Sequence, residues 1–271
     1  MDGATILITG STDGLGRELA VRLAADGARV LIHGRDADRA EEVRAQIVDA
    51  GGPEPSVVLA DLADLRQVDG LADDVVRLTD RLDVLVNNAG IGFGPPGADR
   101  QLSADGIELR FAVNYLAGYR LTRLLLPLLI SSAPSRIVNV ASAGQLPIDF
   151  ADPMLEREYD GISAYRRSKL AQIMFTFDLA DELRDNGVTV TSLHPATFMN
   201  TTMVRETGTD PASSVTEGAD ATLRLITGAD APTGTYFHGL RQARADEQAY
   251  DAHARQRLKT LSEDLLASTL R

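Results

Sequence analysis

The chain has 271 residues, a formal net charge of −12 and no cysteine. Its length suits a single α/β domain, and 44% hydrophobic residues can form a sizeable core. The acidic balance argues against general nucleic-acid binding, which needs a basic face, and the lack of cysteine excludes disulfides and thiol chemistry. No apolar run approaches the roughly 18 residues of a membrane span. We therefore expect a soluble, cytoplasmic protein with no nucleic-acid partner and no membrane span.

Short apolar runs alternate with longer helical patterns along the chain, which predicts βαβ units. The predicted strands are Thr5–Thr9, Arg29–His33, Val57–Ala60, Val84–Val86, Arg136–Val140 and Val188–Leu193. The predicted helices between them are Leu15–Asp26, Ala37–Ala50, Leu65–Asp80, Ala104–Leu129 and Ala164–Asn186. Right-handed crossovers would place helices on both faces. The expected fold is therefore α/β, with a doubly wound parallel sheet of Rossmann type.

The pattern becomes less regular after the sixth predicted strand. Residues 195–214 are rich in Thr, Met and Gly, and we expect them to form a mobile lid over the substrate. The remaining predicted elements are a helix at Val215–Leu225, a short strand at Thr235–Phe237 and a helix at Glu247–Leu266. Residues 240–271 would form a C-terminal helical extension. Nothing divides the chain, so residues 1–271 are predicted to be one domain.

The first predicted strand ends in a glycine-rich turn, Thr9-Gly10-Ser11-Thr12-Asp13-Gly14-Leu15-Gly16. Gly10 permits a tight turn, Gly14 lets a pyrophosphate approach the backbone, and Gly16 lets the helix pack closely on the sheet. Phosphates would then bind N–H groups at the helix N-terminus. A turn without a ligand is the alternative, but the flanking strand and helix favour nucleotide binding.

Two further motifs follow in order: Asn87-Asn88-Ala89-Gly90 after the fourth strand, and the pair Tyr165 and Lys169 on a later helix. Together with the glycine spacing, they resemble the short-chain dehydrogenase/reductase family over most of the chain. A closer likeness, to the retinol-dehydrogenase-like branch, is carried by the segments Val113–Tyr115, Ser135–Val140, Ser168–Ala171 and Leu193–Pro195. The resemblance implies a nicotinamide-dependent oxidoreductase acting on a carbonyl or an alcohol.

The spacing of Tyr165 and Lys169 has a chemical reason. Residues four apart on a helix project from one face, so both can reach one substrate and one nicotinamide ribose. A free tyrosine has a pKa of about 10, and we expect the Lys169 ammonium to lower it. Only Lys169 and Lys259 are lysines among 27 basic residues, which makes a lysine here notable. An exposed pair on a surface helix is the alternative.

The resemblance adds two catalytic residues. Ser142, after the fifth strand, would hydrogen-bond the substrate oxygen and stabilise developing negative charge. Asn114, within a predicted helix, would hold a water that relays protons towards Lys169. A structural role, in which Asn114 ties its helix to the sheet, is the alternative.

Cofactor contacts are implied at the turn, at several strand ends and on the catalytic helix. These residues are Gly10, Thr12, Gly14, Leu15, Gly16, Arg35, Asp61, Leu62, Asn88, Ala89, Gly90, Tyr165, Lys169 and Pro195. Asp61 has an alternative as a helix N-terminal acid. The threonine that the family carries after Pro195 is either Thr201 or is replaced by Asn200.

The end of the second strand should decide between NADP and NAD. An acidic residue there would bind the ribose 2′-hydroxyl and repel a 2′-phosphate. Gly34 takes that position here, and Arg35 follows with a bidentate phosphate-binding group. This favours NADP(H) over NAD(H). Asp13 and Asp36 lie nearby and argue in the other direction.

The substrate site is less defined by the sequence. Residues 145–163 lengthen the interval between Ser142 and Tyr165 and are predicted to form a rim above the substrate. An apolar pocket, with ordinary core packing as the alternative, is suggested by Phe93, Phe198, Met199 and Met203. The four histidines are not expected to cluster, and no metal site is expected.

The prediction is reversible hydride transfer between NADP(H) and a carbonyl or alcohol of a lipophilic small molecule. A non-catalytic NADP-binding redox sensor is one alternative, and a dehydratase or epimerase on the same fold is another. The sequence leaves open whether the chain forms a homo-oligomer.

Overall fold

One twisted sheet is the frame of the molecule. A computed structural model describes residues 1–95, 97–228 and 231–270. Within these ranges the strands are β1 (Thr5–Ile8), β2 (Arg29–Gly34), β3 (Ser56–Leu59), β4 (Val84–Asn87), β5 (Ser135–Val140), β6 (Val188–His194), β7 (Thr235–His238) and β8 (Arg241–Gln242). Their order across the sheet is β3-β2-β1-β4-β5-β6-β7-β8. Strand β8 is antiparallel to β7, and the other pairs are parallel.

Helices cover both faces of the sheet. They are α1 (Gly14–Ala25), α2 (Ala37–Asp49), α3 (Leu65–Leu78), α4 (Leu109–Phe111), α5 (Ala117–Ser131), α6 (Gly161–Glu182), α7 (Thr202–Arg205), α8 (Val215–Thr227) and α9 (Ala252–Thr269). One buried apolar cluster packs α1, α2 and α8 on the sheet, and another packs α3, α5 and α6 on the opposite face. The predicted doubly wound α/β fold is therefore confirmed.

The structure differs from the sequence prediction mainly at element ends. The helix expected from Ala104 begins at Leu109, because Gly106 has a φ of +77° and the preceding chain turns back on itself. A π-helical segment, Ala112–Leu116, joins α4 to α5. The predicted final helix is divided into a 3₁₀ turn, Glu247–Tyr250, and α9. Arg271, the last residue of the predicted C-terminal extension, lies outside the described residues.

Strand order explains where a ligand can bind. The chain runs from β1 outwards through β2 to β3 and then crosses back, so that β4 pairs with the other side of β1. A crevice forms outside the carboxyl ends of the strands where the order reverses in this way. The glycine-rich turn after β1 and the Asn88–Gly90 segment after β4 flank this crevice. No helix in the described part of the chain is long and apolar enough to cross a membrane.

Candidate active site

The glycine-rich turn is packed so tightly that Gly10 and Gly16 have no room for a side chain. Gly10 has a φ of +65°, and a Cβ there would lie 2.9 Å from the Ala89 Cα. A Cβ on Gly16 would collide with the Gly10 carbonyl oxygen. Gly14 has a φ of +50° and begins α1, whose N-terminus is capped by Asp13. The predicted reasons for Gly10 and Gly16 are thus seen as contacts.

Asn88 and Thr9 fix the turn to the neighbouring strand. The Asn88 Nδ2 donates to the carbonyl oxygens of Thr9, at 2.8 Å, and Gly10, at 3.1 Å. The Thr9 hydroxyl accepts from the backbone N–H groups of Asn88 and Ala89, both at 3.0 Å. Asn88 is predicted to be a cofactor contact. In this structure its amide nitrogen holds the turn in place.

The four predicted catalytic residues converge at the carboxyl edge of β4 and β5. The buried Asn114 lies on the π-helical segment, where its Oδ1 accepts from the Ile91 N–H at 2.7 Å. A Cβ built on Gly90 would be 3.2 Å from Asn114 Oδ1 and 3.4 Å from Lys169 Nζ. Both groups therefore border the space that a side chain on Gly90 would occupy. Ser142 lies beside the Tyr165 side chain and lowers the pKa of its phenol.

Lys169 is a buried cation with two hydrogen-bond acceptors. Its side chain lies on α6 with 4% exposure, and Nζ donates to the Val140 carbonyl at 2.9 Å and to the Gln172 Oε1 at 3.0 Å. Burial lowers its pKa to about 7. An ammonium has three donors, so one remains for a further acceptor such as a ribose hydroxyl.

The expectation that Lys169 lowers the pKa of Tyr165 is not met in this structure. Burial raises the pKa of Tyr165, and only the hydrogen bond from Ser142 lowers it. The Lys169 Nζ lies 5.8 Å from the centre of the tyrosine ring and is directed to the Val140 carbonyl and to Gln172. Tyr165 is therefore a neutral phenol at neutral pH, which suits a proton donor.

Arg35, which directly follows β2, is a cation without a partner among the described residues. Gly34 has no room for a side chain, because a Cβ there would lie 2.6 Å from the Thr12 methyl group. Arg35 is exposed and makes no ion pair or hydrogen bond in the described part of the chain. Asp36 instead caps α2, accepting from the N–H groups of Asp38 and Arg39. The nearby Asp13 lies 3.9 Å from Arg39, which offsets its charge.

Other predicted cofactor residues have structural contacts. Asp61 accepts from the Ala63 N–H at 2.9 Å, as a turn residue before α3 does. Leu62 belongs to the buried core. Pro195 is buried, and a Cβ on Gly218 would lie 3.4 Å from its side chain. These positions lie along the crevice, and their contacts with a cofactor stay predictions.

The segment 195–214 lies over the glycine-rich turn. A Cβ on Gly14 would meet the Thr201 methyl group at 3.0 Å, whereas Asn200 pairs with Arg205. Thr201 is therefore the residue of this segment that reaches the turn. Met203 reaches the loop at Gly92, and Met199 packs into the core beside α8.

Sequence reasoning missed residues that support the predicted catalytic ones. Gln172, three residues after Lys169, accepts from its ammonium, and that spacing could have indicated it. Ser168 accepts from Asn114 Nδ2 at 3.0 Å. Tyr236, on β7, donates to the Ser142 carbonyl at 3.1 Å. No sequence spacing links β7 to Ser142, so that contact had no signal.

The expectation that the histidines do not cluster is wrong for two of them. The rings of His194 and His238 lie edge to face with centroids 4.7 Å apart, because β6 and β7 pair in register there. Burial lowers the pKa of His194 to about 4. Within the described residues, no group of three or more histidine, aspartate or glutamate side chains could hold a metal ion.

A dinucleotide-type turn beside a Ser-Tyr-Lys cluster defines the class of protein, a nucleotide-dependent oxidoreductase fold. A family model described as short chain dehydrogenase matches residues 4–212. Retinol dehydrogenase 12 of Homo sapiens is 33% identical over 282 residues, covering 98% of this chain and 87% of that protein. The chain belongs to the short-chain dehydrogenase family.

A second relative shows higher identity over a shorter span. Retinol dehydrogenase 14 of Mus musculus is 44% identical over 210 residues, covering 72% of this chain and 61% of that protein. The match therefore spans less than two thirds of that relative's length.

Solved structures share the fold over most of their length. An uncharacterized protein from Mycobacterium Paratuberculosis has a TM-score of 0.81 and 29% identity, covering 97% of this chain and 93% of that chain. Pseudomonas aeruginosa RhlG, in an NADP active-site complex, has a TM-score of 0.71 and 28% identity, covering 88% and 95%. A 3-ketoacyl-(acyl-carrier-protein) reductase from Brucella melitensis, complexed with NADH, has a TM-score of 0.70 and 27% identity, covering 88% and 96%. Both nicotinamide coenzymes thus occur among the structural neighbours.

Burial of Lys169 predicts how stability depends on pH in the cofactor-free protein. Its pKa of about 7 lies below the value of about 10.4 in an unfolded chain. Between these values the unfolded state binds more protons, so the free energy of unfolding should rise with pH, by at most about 1.4 kcal/mol per pH unit. Urea denaturation from pH 7 to pH 10 measures this. Lys169→Met should remove the rise, and Lys259→Met, at the other lysine, should keep it. Equal slopes for the wild type and Lys169→Met would contradict the burial of a titrating ammonium.

Proposed function

We propose that this protein catalyses reversible hydride transfer between NADP(H) and a carbonyl or secondary alcohol on a lipophilic small molecule. The observation that carries the proposal is the cluster at the crevice. Tyr165, whose pKa is raised by burial, lies beside Ser142, and the buried Lys169 lies one helical turn away. All three lie on the same edge of the sheet as the glycine-rich turn, and a helix N-terminus after such a turn is suited to bind a phosphate.

The residues present fit a nicotinamide dinucleotide. The turn offers N–H groups at the start of α1, and the spare donor of Lys169 suits a ribose hydroxyl. When bound, the coenzyme supplies or accepts the hydride. The protein's own residues then bind the coenzyme, orient the substrate carbonyl and move the proton.

Tyr165 and Ser142 divide the work on the substrate oxygen. Tyr165, kept protonated by burial, would donate its proton to the carbonyl oxygen as that oxygen gains negative charge. Ser142 Oγ accepts from the Gly144 N–H at 3.0 Å, so with a substrate bound its single hydrogen would be donated to the same oxygen instead of to Tyr165. Asn114 Oδ1 faces Lys169 across Gly90 and would hold a water that returns the proton.

Preference for NADP over NAD is supported by the corner after β2. The unpaired Arg35 can fork onto a 2′-phosphate, and Gly34, at the position expected for an acidic residue, carries no charge that would repel it. The two acidic residues that argued for NAD are engaged, since Asp36 caps a helix and Asp13 lies beside Arg39.

A lipophilic substrate is supported by the walls of the site. The ring of Phe93 packs edge-on against Tyr165, with centroids 6.1 Å apart, and Met203 contacts the same loop at Gly92. The names of the retinol dehydrogenase relatives point to an apolar alcohol or aldehyde.

Replacing Tyr165 by Phe tests the proton donor. Tyr165→Phe should lower kcat at least about a thousandfold, because only the reacting hydroxyl is removed. The dissociation constant for NADPH should stay within about twofold of the wild type. Turnover of a carbonyl panel and a titration of NADPH fluorescence provide the two values. A parallel loss of both would contradict the assigned role.

Replacing Arg35 by Ser tests the coenzyme preference. A lost charge-assisted contact is worth about 1.5–3 kcal/mol, so the dissociation constant for NADPH should rise by about one to two orders of magnitude. That for NADH should not change. Arg184→Ser, at an exposed arginine just after the end of α6, is the control. Tighter binding of NADH than NADPH by the wild type would assign the site to NAD.

A further inference from the structure

We propose that Arg110 is a positioning residue that holds Phe93 against Tyr165 and so fixes one wall of the substrate pocket. The identity of the pocket rests on the proposed function. The cluster that holds Phe93 is centred on an ion pair between Arg110 and Glu108. Neither of these residues belongs to the family motifs described above.

The Arg110 guanidinium is buried, with 3% exposure of the residue, and all three nitrogens are used. Nε donates to the Gly92 carbonyl at 3.1 Å, and Nη2 donates to the Phe93 carbonyl at 3.2 Å. Nη1 donates to the Tyr159 hydroxyl at 2.8 Å. A Cβ on Gly94 would lie 2.8 Å from Nη2, so the loop is tightly packed on the guanidinium. One side chain thus fixes two successive carbonyls of the loop after β4.

The charge of Arg110 is matched by a buried carboxylate. Glu108 Oε1 lies 3.6 Å from Nη1 and accepts from the Tyr159 hydroxyl at 3.1 Å. Glu108 Oε2 accepts from the Phe111 N–H at 2.7 Å and in this way caps the start of α4. The cluster therefore joins three separate segments: the loop after β4, the start of α4 and the rim 145–163, to which Tyr159 belongs. A buried ion pair needs such additional hydrogen bonds to offset its desolvation.

The position of Phe93 matters because its ring touches the reacting phenol. The rings of Phe93 and Tyr165 meet at 80° with centroids 6.1 Å apart. On the other side, Gly161, the first residue of α6, contacts the Phe93 carbonyl so closely that a Cβ there would collide with it. The loop is therefore held between Arg110 and the start of the helix that bears Tyr165. The cluster presets the distance between an apolar wall and the proton donor before a substrate binds.

The first experiment measures position without catalysis. The chain has no tryptophan, so Phe93→Trp places the protein's one tryptophan at the wall, where it can be excited selectively over the tyrosines. Arg110→Lys keeps the charge but cannot fork onto both carbonyls. Adding Arg110→Lys to Phe93→Trp should shift the emission to the red and increase acrylamide quenching by at least about twofold. Arg120→Lys, which alters a paired arginine on α5, is the matched control and should change neither.

The second experiment asks whether Arg110 acts through Phe93. Arg110→Lys should raise KM for a bulky apolar carbonyl by about tenfold, with less effect on a small aldehyde and none on the dissociation constant for NADPH. In the Phe93→Ala background, Arg110→Lys should have no further effect on this discrimination. Tyr159→Phe removes one partner of the cluster and should give a smaller change of the same kind, which keeps the test available if Arg110→Lys does not fold.

Two results would overturn the proposal: unchanged tryptophan emission and quenching in folded Arg110→Lys, or additive effects of the two substitutions on discrimination. If the wild type reduced no carbonyl at all, the proposed function would fail. The fluorescence result would still decide whether Arg110 positions Phe93.

Discussion

The ammonium of Lys169 lies in the interior of the protein, on α6, between the Val140 carbonyl and the Gln172 side chain. Burying a charge is costly unless it is hydrogen-bonded, so β5 and α6 must meet at this point and Gly90 must stay small. The same placement brings Tyr165, one turn earlier on α6, beside Ser142 at the end of β5.

The topology of the sheet places these residues beside a crevice in which a ligand can bind. Parallel strands end at one edge, and reversal of the strand order at β1 and β4 opens a crevice there. The glycine-rich turn, tied to β4 by Asn88, forms one side of that crevice, and α6 forms the other. Family membership and geometry therefore lead to the same place in the fold, where Gln172, Ser168 and Arg110 support the residues of the site.

Much of the fold could be predicted from the sequence, because the strands are continuous apolar runs and glycines mark the turn. Tyr165 and Lys169 were also accessible, since their spacing follows the helix period. The cluster of Arg110, Glu108 and Tyr159 was not, because it joins residues 49 and 51 positions apart and two residues at i and i+2, which share no helix face. Nor could the sequence show that burial raises the pKa of Tyr165, because desolvation depends on the packed environment.

The most direct test of hydride transfer at this site is to follow the label. NADPH carrying deuterium at both hydrogens of the nicotinamide C4 is incubated with the purified protein and a panel of apolar ketones and aldehydes, and the products are examined by mass spectrometry. We predict an alcohol that carries one deuterium at the former carbonyl carbon for each coenzyme oxidised. Tight binding of NADPH with no alcohol formed from any member of the panel would contradict the account and favour a non-catalytic redox sensor.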